Sequence, residues 1–378
     1  MLIRKLLRVD TGGRRIELDF VRGLAILAVM GAHFRVPDTG DGLLAALAFP
    51  LKSFGHEGVN LFFALSGFLV GGLLLRQYAA GRVEAGRFIV RRIFKIWPAY
   101  YALLLFHWIA GRHPTDGFLM QNALHVQNYL GSSITQTWSL AIEEHFYLLL
   151  PVLLLIFVRR KLGSNAVIAS LGAICVAVLL ARAAAVGRGD LQAAFAHTQY
   201  RIDSLLFGTL VAACYWLKPQ RYAALARRRG VLVMTVLCLL AWLLTLGRDP
   251  VIDRSIGYSV QAVGYCALIV LTLEHSGSWR TTRGYRWVAW LGQYSYGIYL
   301  WHSLALMPGT RYIAWTNSLG MPVEWVWWSV LLLQLSIAVS VGYAMTRLIE
   351  LPFLYWRDRV VPAGAAATAP PADARRTV

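Results

Sequence analysis

Residues 138–161 decide the fold class. They open with Trp138-Ser139-Leu140-Ala141-Ile142-Glu143-Glu144-His145-Phe146-Tyr147 and run on as Leu148-Leu149-Leu150-Pro151-Val152-Leu153-Leu154-Leu155-Ile156-Phe157-Val158. The stretch closes on Arg159-Arg160-Lys161. A helix needs about 20 mainly apolar residues to cross a bilayer, and Ser139–Val158 supplies them. A basic triplet at one end is the mark of a cytoplasmic flank. Two adjacent carboxylates near the other end are not explained by packing, because ionisable groups inside a span are costly unless paired or hydrated.

Nine further apolar runs share this pattern: Leu18–Val36, Gly58–Gln77, Ile96–Gly111, Asn165–Val186, Tyr200–Leu217, Gly230–Leu246, Ser255–Glu274, Val288–Leu306 and Glu324–Thr346. The third is short, and its Trp97, Pro98, Tyr100 and Tyr101 read as an interfacial entry. The expected architecture is all-α, a polytopic membrane helix bundle of ten transmembrane helices. Composition agrees. The 378 residues are 57% hydrophobic with a mean hydropathy of +0.53. Only 15% are charged, against about 25% for a soluble domain.

The net charge of +18 would suggest nucleic acid in a soluble protein. Here the basic residues fall in short clusters between apolar runs, and no basic-aromatic surface module is present, so nucleic-acid binding is excluded. One cluster precedes the first run (Arg4, Lys5, Arg8, Arg14, Arg15) and others follow the second, fourth, sixth, eighth and tenth. The intervening segments are sparse in Lys and Arg. That alternation sets ten spans with both termini in the cytoplasm. The expected organisation is a cytoplasmic segment 1–17, a membrane domain 18–356 and a disordered, Ala- and Pro-rich cytoplasmic tail 357–378, with no signal peptide and no room for an appended soluble domain. Cys175, Cys214, Cys238 and Cys266 each lie inside an apolar run without ligand spacing and read as small buried hydrophobes; no metal site is expected.

Ionisable residues within spans are functional candidates by default. Arg22 and His33 are eleven residues apart, close to three helical turns, so they share a face roughly 16 Å apart along the axis. Arg92 and Lys95 stand at i, i+3 before Ile96, where they could clamp an anion. Glu143 and Glu144 enter the fourth span from outside. Arg201 and Asp203 enter the sixth and could pair with each other or with the glutamates. Tyr299, Trp301 and His302 lie near the outer end of the ninth. Arg347 and Glu350 close the tenth, and Pro352 is expected to end that helix. Topology then separates an outer acid-base group (His33, Glu143, Glu144, Arg201, Asp203, His302) from an inner cationic group (Arg22, Arg92, Lys95). Such a division suits an anionic donor from the cytoplasm and an acceptor outside.

Seven motifs in order resemble the acyltransferase-3 family of membrane-bound acyl transferases. They are Leu18-Asp19-x-x-Arg22-Gly23 with His33, Gly58-Val59-Asn60-Leu61-Phe62-Phe63-x-Leu65-Ser66-Gly67-Phe68, and Arg91-Arg92-x-x-Lys95-Ile96-x-Pro98-x-Tyr100. Next come Trp138-Ser139-Leu140-x-x-Glu143-Glu144-x-Phe146-Tyr147 and Arg201-x-Asp203-x-Leu205-x-x-Gly208. The last two are Ser295-Tyr296-x-x-Tyr299-Leu300-Trp301-His302 and Ile349-Glu350-x-Pro352-Phe353. The resemblance implies O-acyl transfer, commonly of acetyl, from an acyl-CoA to a hydroxyl of a cell-surface or lipid-linked carbohydrate, in the bacterial inner membrane. It implies His33 as general base, or as the carrier of an acyl-imidazole intermediate. Glu143 or Glu144 would orient the ring or hold the acceptor. Arg22, Arg92, Lys95 and Ser66 would bind the CoA donor, and Arg201, Asp203, Tyr299, His302 and Trp138 the acceptor. Two positions depart from the family pattern: Lys95 stands where a second arginine is usual, and Asn60 where an acidic residue is usual. The rival class is a proton-coupled transporter of a small anion or acylated metabolite.

Overall fold

The computed structural model describes residues 15–37, 44, 46, 55, 57–112, 117–131 and 134–362. Among the described residues every regular element is helical. The main helices are α1 (Ile16–His33), α2 (Glu57–Ala79), α3 (Ala85–Ile109), α4 (Trp138–Arg159), α5 (Ser164–Gly187), α6 (Ile202–Leu217) and α7 (Arg229–Leu244). They continue with α8 (Tyr258–His275), α9 (Arg283–Gln293), α10 (Ser295–Trp301), α11 (Leu306–Ser318), α12 (Val323–Met345) and α13 (Leu351–Val360).

Five helical stretches are long and apolar enough to cross a membrane: Glu57–Ala79, Thr135–Arg159, Ser164–Gly187, Pro250–His275 and Val323–Val360. The chain is therefore an integral membrane protein of all-helical class. The remaining expected spans differ for physical reasons. Ile202–Leu217 and Arg229–Leu244 are apolar but shorter. α1 carries Glu17, Asp19 and Arg22, and α3 carries Arg87, Arg91, Arg92 and Lys95.

Two expectations are corrected, and one helix is longer than its apolar run. α3 starts at Ala85 and takes Pro98 into its interior, which places Trp97 at its midpoint. The ninth run is not one helix, because the chain breaks at Tyr294 between α9 and α10 and tightens into a 3-10 turn over His302–Ala305. Pro352 does not end the tenth. A π-turn at Thr346–Glu350 re-phases the chain, and Pro352 then falls in the first turn of α13, where its missing N–H costs little. Helix therefore continues past Arg357 to Val360; the rest of the expected tail, and the basic residues before Arg15, lie outside the described residues.

The surface is that of a protein solvated by lipid. On α4, Leu148, Leu149, Val152 and Ile156 form one face, each about half exposed. In water such a stripe would mark a binding surface; in a bilayer it needs no partner. Cys175 and Cys266 are buried as expected, whereas Cys214 is only partly buried and Cys238 is exposed.

Contacts divide the chain into two compact units. The first comprises residues 1–59, 98–105 and 276–353. Here α1 packs on α9 with almost no separation: a Cβ on Gly23 would collide with the Val288 carbonyl, and one on Gly292 with that of Asp19. Without a hydrophobic drive between helices in lipid, such small-residue contacts are what let backbones approach. Phe20 stacks on Tyr285 at 3.9 Å. Buried Gln334 of α12 brackets one peptide unit just beyond α1, accepting from the Arg35 N–H at 3.1 Å and donating to the Arg35 carbonyl at 2.7 Å.

The second unit comprises residues 60–97, 106–275 and 354–378. α2 and α6 interlock through Gly67 against Leu205 and Gly208 against Ala64. Midway along α2 the chain loosens into a π-turn, Gly67–Gly71, and the Thr209 hydroxyl of α6 donates to the Gly67 carbonyl there. α13 docks on α3 through Arg91–Asp358 at 2.9 Å and an edge-on Phe94–Trp356 contact.

Candidate active site

In the first unit the catalytic candidate is His33, at the C-terminus of α1. Its Nδ1 bonds the Val29 carbonyl one turn back at 2.9 Å. A carbonyl only accepts, so Nδ1 carries the proton and Nε2 is the basic nitrogen. His302 repeats the arrangement: its Nδ1 bonds the Tyr299 carbonyl at 2.7 Å, and its buried Nε2 has no hydrogen-bond partner among the described residues. The two rings lie 4.9 Å apart, and the Tyr299 ring lies 6.0 Å from that of His302. Three of the sequence-derived site residues thus meet. Arg22, on the same uninterrupted α1, is held by a 2.7 Å ion pair to buried Asp19. That pair explains the Asp-x-x-Arg motif, because i, i+3 neighbours face each other.

In the second unit three helices meet at their middles. Ser66 is the last α-helical residue of α2 before its π-turn. Its hydroxyl lies 2.8 Å from the Tyr147 hydroxyl of α4, which in turn donates to Glu143 Oε2 at 2.8 Å. With the Tyr147 proton committed to the carboxylate, Ser66 must be the donor to Tyr147. The Arg92 guanidinium lies over the Tyr147 ring, 5.6 Å from its centre, and over Phe88 at 5.4 Å. The neighbouring Glu144 accepts from Trp97 Nε1 at 3.1 Å, and its buried Oε1 has no hydrogen-bond partner among the described residues. His125 lies beside Trp97, with ring centres 5.8 Å apart. Arg92 of the expected inner group thus lies beside α4, the helix that carries the two expected outer carboxylates. α3 begins twelve residues before Trp97, so its basic stretch is helical too.

Arg201 and Asp203 pair neither with each other nor with the glutamates. Arg182 Nη1 donates to both oxygens of Asp203, at 2.8 and 2.9 Å, with both side chains fully buried. Ser259 closes the triangle, accepting from Arg182 and donating to Asp203, each at 2.6 Å. Both Asp203 oxygens are thus spoken for, and the cluster clamps α5, α6 and α8. Arg201 donates instead to Asn60, the position that departs from the family pattern, and Asn60 donates to Gln261 at 2.5 Å. An acid there would place a negative charge on this chain of amides. The Arg201 guanidinium is boxed by Tyr258 at 3.4 Å, Trp138 at 5.5 Å and Phe63 at 5.7 Å from the ring centres. Its Nε and Nη1 have no hydrogen-bond partners among the described residues. Each desolvated cation–π contact contributes about 2 kcal/mol, which lets this charge sit with so few hydrogen bonds.

Sequence reading missed Arg182, Tyr147, Gln334 and His125. Arg182 was legible only as a span-end charge, and Gln334 as a polar residue in an apolar run. Tyr147 does stand four residues after Glu143, the spacing of facing neighbours on a helix. Among the described residues no group of three or more His, Cys, Asp or Glu side chains could hold a metal ion.

Comparison with known proteins adds the family. The acyltransferase-3 model, described as an acyltransferase domain, matches residues 15–345. A Bacillus subtilis (strain 168) protein provisionally named a peptidoglycan O-acetyltransferase, YrhL, is 28% identical over 82% of this chain and 50% of its own length. The peptidoglycan O-acetyltransferase OatA of Listeria monocytogenes is 27% identical over 76% of this chain and 48% of its own. A provisionally named O-acetyltransferase of Staphylococcus aureus (strain MRSA252) is 24% identical over 91% and 59%. The chain spans about half the length of the first two of these curated relatives. No solved structure matches it significantly. With the family model covering nearly all of the sequence, the chain belongs to the acyltransferase-3 family and is an acyltransferase.

Proposed function

We propose that the protein transfers an acyl group, most simply acetyl, from acyl-CoA to a hydroxyl of a cell-surface or lipid-linked carbohydrate. The observation that carries this reading is the state of His33: a tautomer fixed by the Val29 carbonyl, with Nε2 as the basic nitrogen, on the same continuous helix as an ion-paired arginine. His33 takes the proton of the acceptor hydroxyl as that oxygen attacks the acyl carbonyl carbon, the role for which an imidazole is suited near neutral pH. His302 and Tyr299 flank the base on the acceptor side. In the second unit Glu144 has one carboxylate oxygen open to a hydroxyl, Trp138 and Arg201 offer their aromatic box to a sugar, and Asp203 keeps its frame rigid. Arg92 and Lys95 are the cations of that unit for the CoA phosphates, with Ser66 toward the thioester; in the first unit Arg22 is the cation on the helix of the base.

The topology that goes with this function has ten spans and both termini in the cytoplasm of a bacterial inner membrane. The basic clusters support that orientation. Names among the relatives point to peptidoglycan as one acceptor class for that family; a glycan of the cell envelope is the acceptor proposed here. Mass spectrometry of surface glycans from a deletion strain beside its parent tests the function. Loss of an ester-linked acyl mass from one glycan is expected. Glycans identical in the two strains, with an altered uptake or export of a small anion, would favour a proton-coupled transporter instead.

A further inference from the structure

Resting on the acyltransfer reading, we propose that Ser66 is a nucleophile that carries the acyl group, activated through Tyr147 by Glu143. Three features point to it. The hydroxyls and carboxylate form one directional chain, Ser66 to Tyr147 to Glu143, with both links at 2.8 Å. A weak nucleophile needs an adjacent base that is itself oriented by a third group, and this chain has that form. The Arg92 guanidinium over the Tyr147 ring stabilises the negative charge that appears on the phenol as the proton moves. Ser66 also directly precedes a π-turn, a rare element that recurs at functional sites. There it is only half-buried while Tyr147 behind it is buried.

In the first step Ser66 Oγ bonds to the thioester carbonyl carbon. Its proton passes to Tyr147 as the Tyr147 proton passes to Glu143, and the C–S bond breaks to release CoA as its thiolate. In the second step the acceptor oxygen, losing its proton to solvent, attacks the Ser66 ester. The C–O bond to Ser66 breaks, Ser66 regains a proton from Tyr147, and Tyr147 regains one from Glu143. The proton lost by the acceptor balances the thiolate.

The test uses purified full-length protein incubated with radiolabelled acetyl-CoA in the absence of acceptor, followed by acid quench and peptide mapping. Label on the peptide containing Ser66 is expected, resistant to neutral hydroxylamine as an oxygen ester is. Ser66→Cys should take label that neutral hydroxylamine removes, a change of lability that a structural role would not produce. Tyr147→Phe should slow labelling by about 100-fold with the KM for acetyl-CoA unchanged, the scale of lost general-base assistance. Label on the His33 peptide instead, or a folded Ser66→Ala protein that transfers at the parental rate, overturns the assignment and leaves the acyltransferase reading standing. Absence of both label and glycan transfer overturns the two together.

Discussion

The imidazoles of His33 and His302 lie 4.9 Å apart, each with its Nδ1 bonded to a carbonyl one turn earlier in the chain. Two basic nitrogens are thereby brought into one neighbourhood, where the second positive charge is opposed by the first. His33 is the less buried ring and the one an acceptor can reach.

Replacing His33 with Ala should therefore abolish transfer, whereas His302→Phe should lower kcat by only about tenfold, less than the roughly 10²–10⁴-fold that a general base itself supplies. Steady-state kinetics on protein of normal size-exclusion profile checks this. A His302 variant as inactive as His33→Ala would reverse the roles.

Asp19 and Arg22 make a second prediction. Asp19 is 1% exposed, so removing its arginine partner leaves a buried carboxylate without that ion pair, at a cost of about 3–5 kcal/mol. Arg22→Ala should melt well below Asp19→Asn, and Asp19→Asn should chiefly raise the KM for acyl-CoA by freeing Arg22 from its set position. Equal melting temperatures would show the pair to be unimportant to the fold.

Arg92 and Lys95 differ in a way their charge does not show. Arg92 sits over the rings of Phe88 and Tyr147, contacts that favour a guanidinium over an ammonium. Lys95→Arg should be tolerated within about twofold, since a guanidinium can replace a point charge on phosphate. Arg92→Lys should raise the acyl-CoA KM several-fold. The opposite ranking would move the donor clamp to Lys95.

Orientation is tested on a single helix. α5 runs from Ser164 to Gly187, with exposed Lys161 just before it and exposed Arg188 just after. On a background lacking Cys175, Cys214, Cys238 and Cys266, a membrane-impermeant thiol reagent added to intact cells should label Arg188→Cys and not Lys161→Cys. No polar path crosses the hydrocarbon between them. Reversed labelling would put the acceptor in the cytoplasm.

Much of the helical frame was legible, because apolar length and basic flanks are properties of composition along the chain. α2, α4 and α5 begin and end within about two residues of the expected runs, the ordinary spread of helix boundaries. Three things were not. Pro98 and Pro352 were read as boundaries, but Pro98 is absorbed in a helix interior and Pro352 in a first turn after a π-turn, and π-turns have no simple sequence sign. The ninth run looked continuous because Tyr294 and His302 are compatible with a helix, and only tertiary packing breaks it there. The pairing of Asp203 with Arg182 could not be chosen over pairing with Arg201, since both arginines stand near span ends and only the fold brings one within 2.8 Å. The charged site candidates stand out because a charge in an apolar run is conspicuous. Tyr147 and Gln334, the partners of Glu143 and Arg35, do not, being uncharged.

The central claim is that His33 drives transfer of an acyl group from acyl-CoA to a glycan hydroxyl. The direct measurement is the appearance of ester-linked label on cell-envelope glycan when purified protein in lipid vesicles is given radiolabelled acetyl-CoA, with His33→Ala alongside. The account predicts label on glycan with the parent protein and none with the variant, although the variant still binds acetyl-CoA. Equal labelling by the two proteins would contradict it.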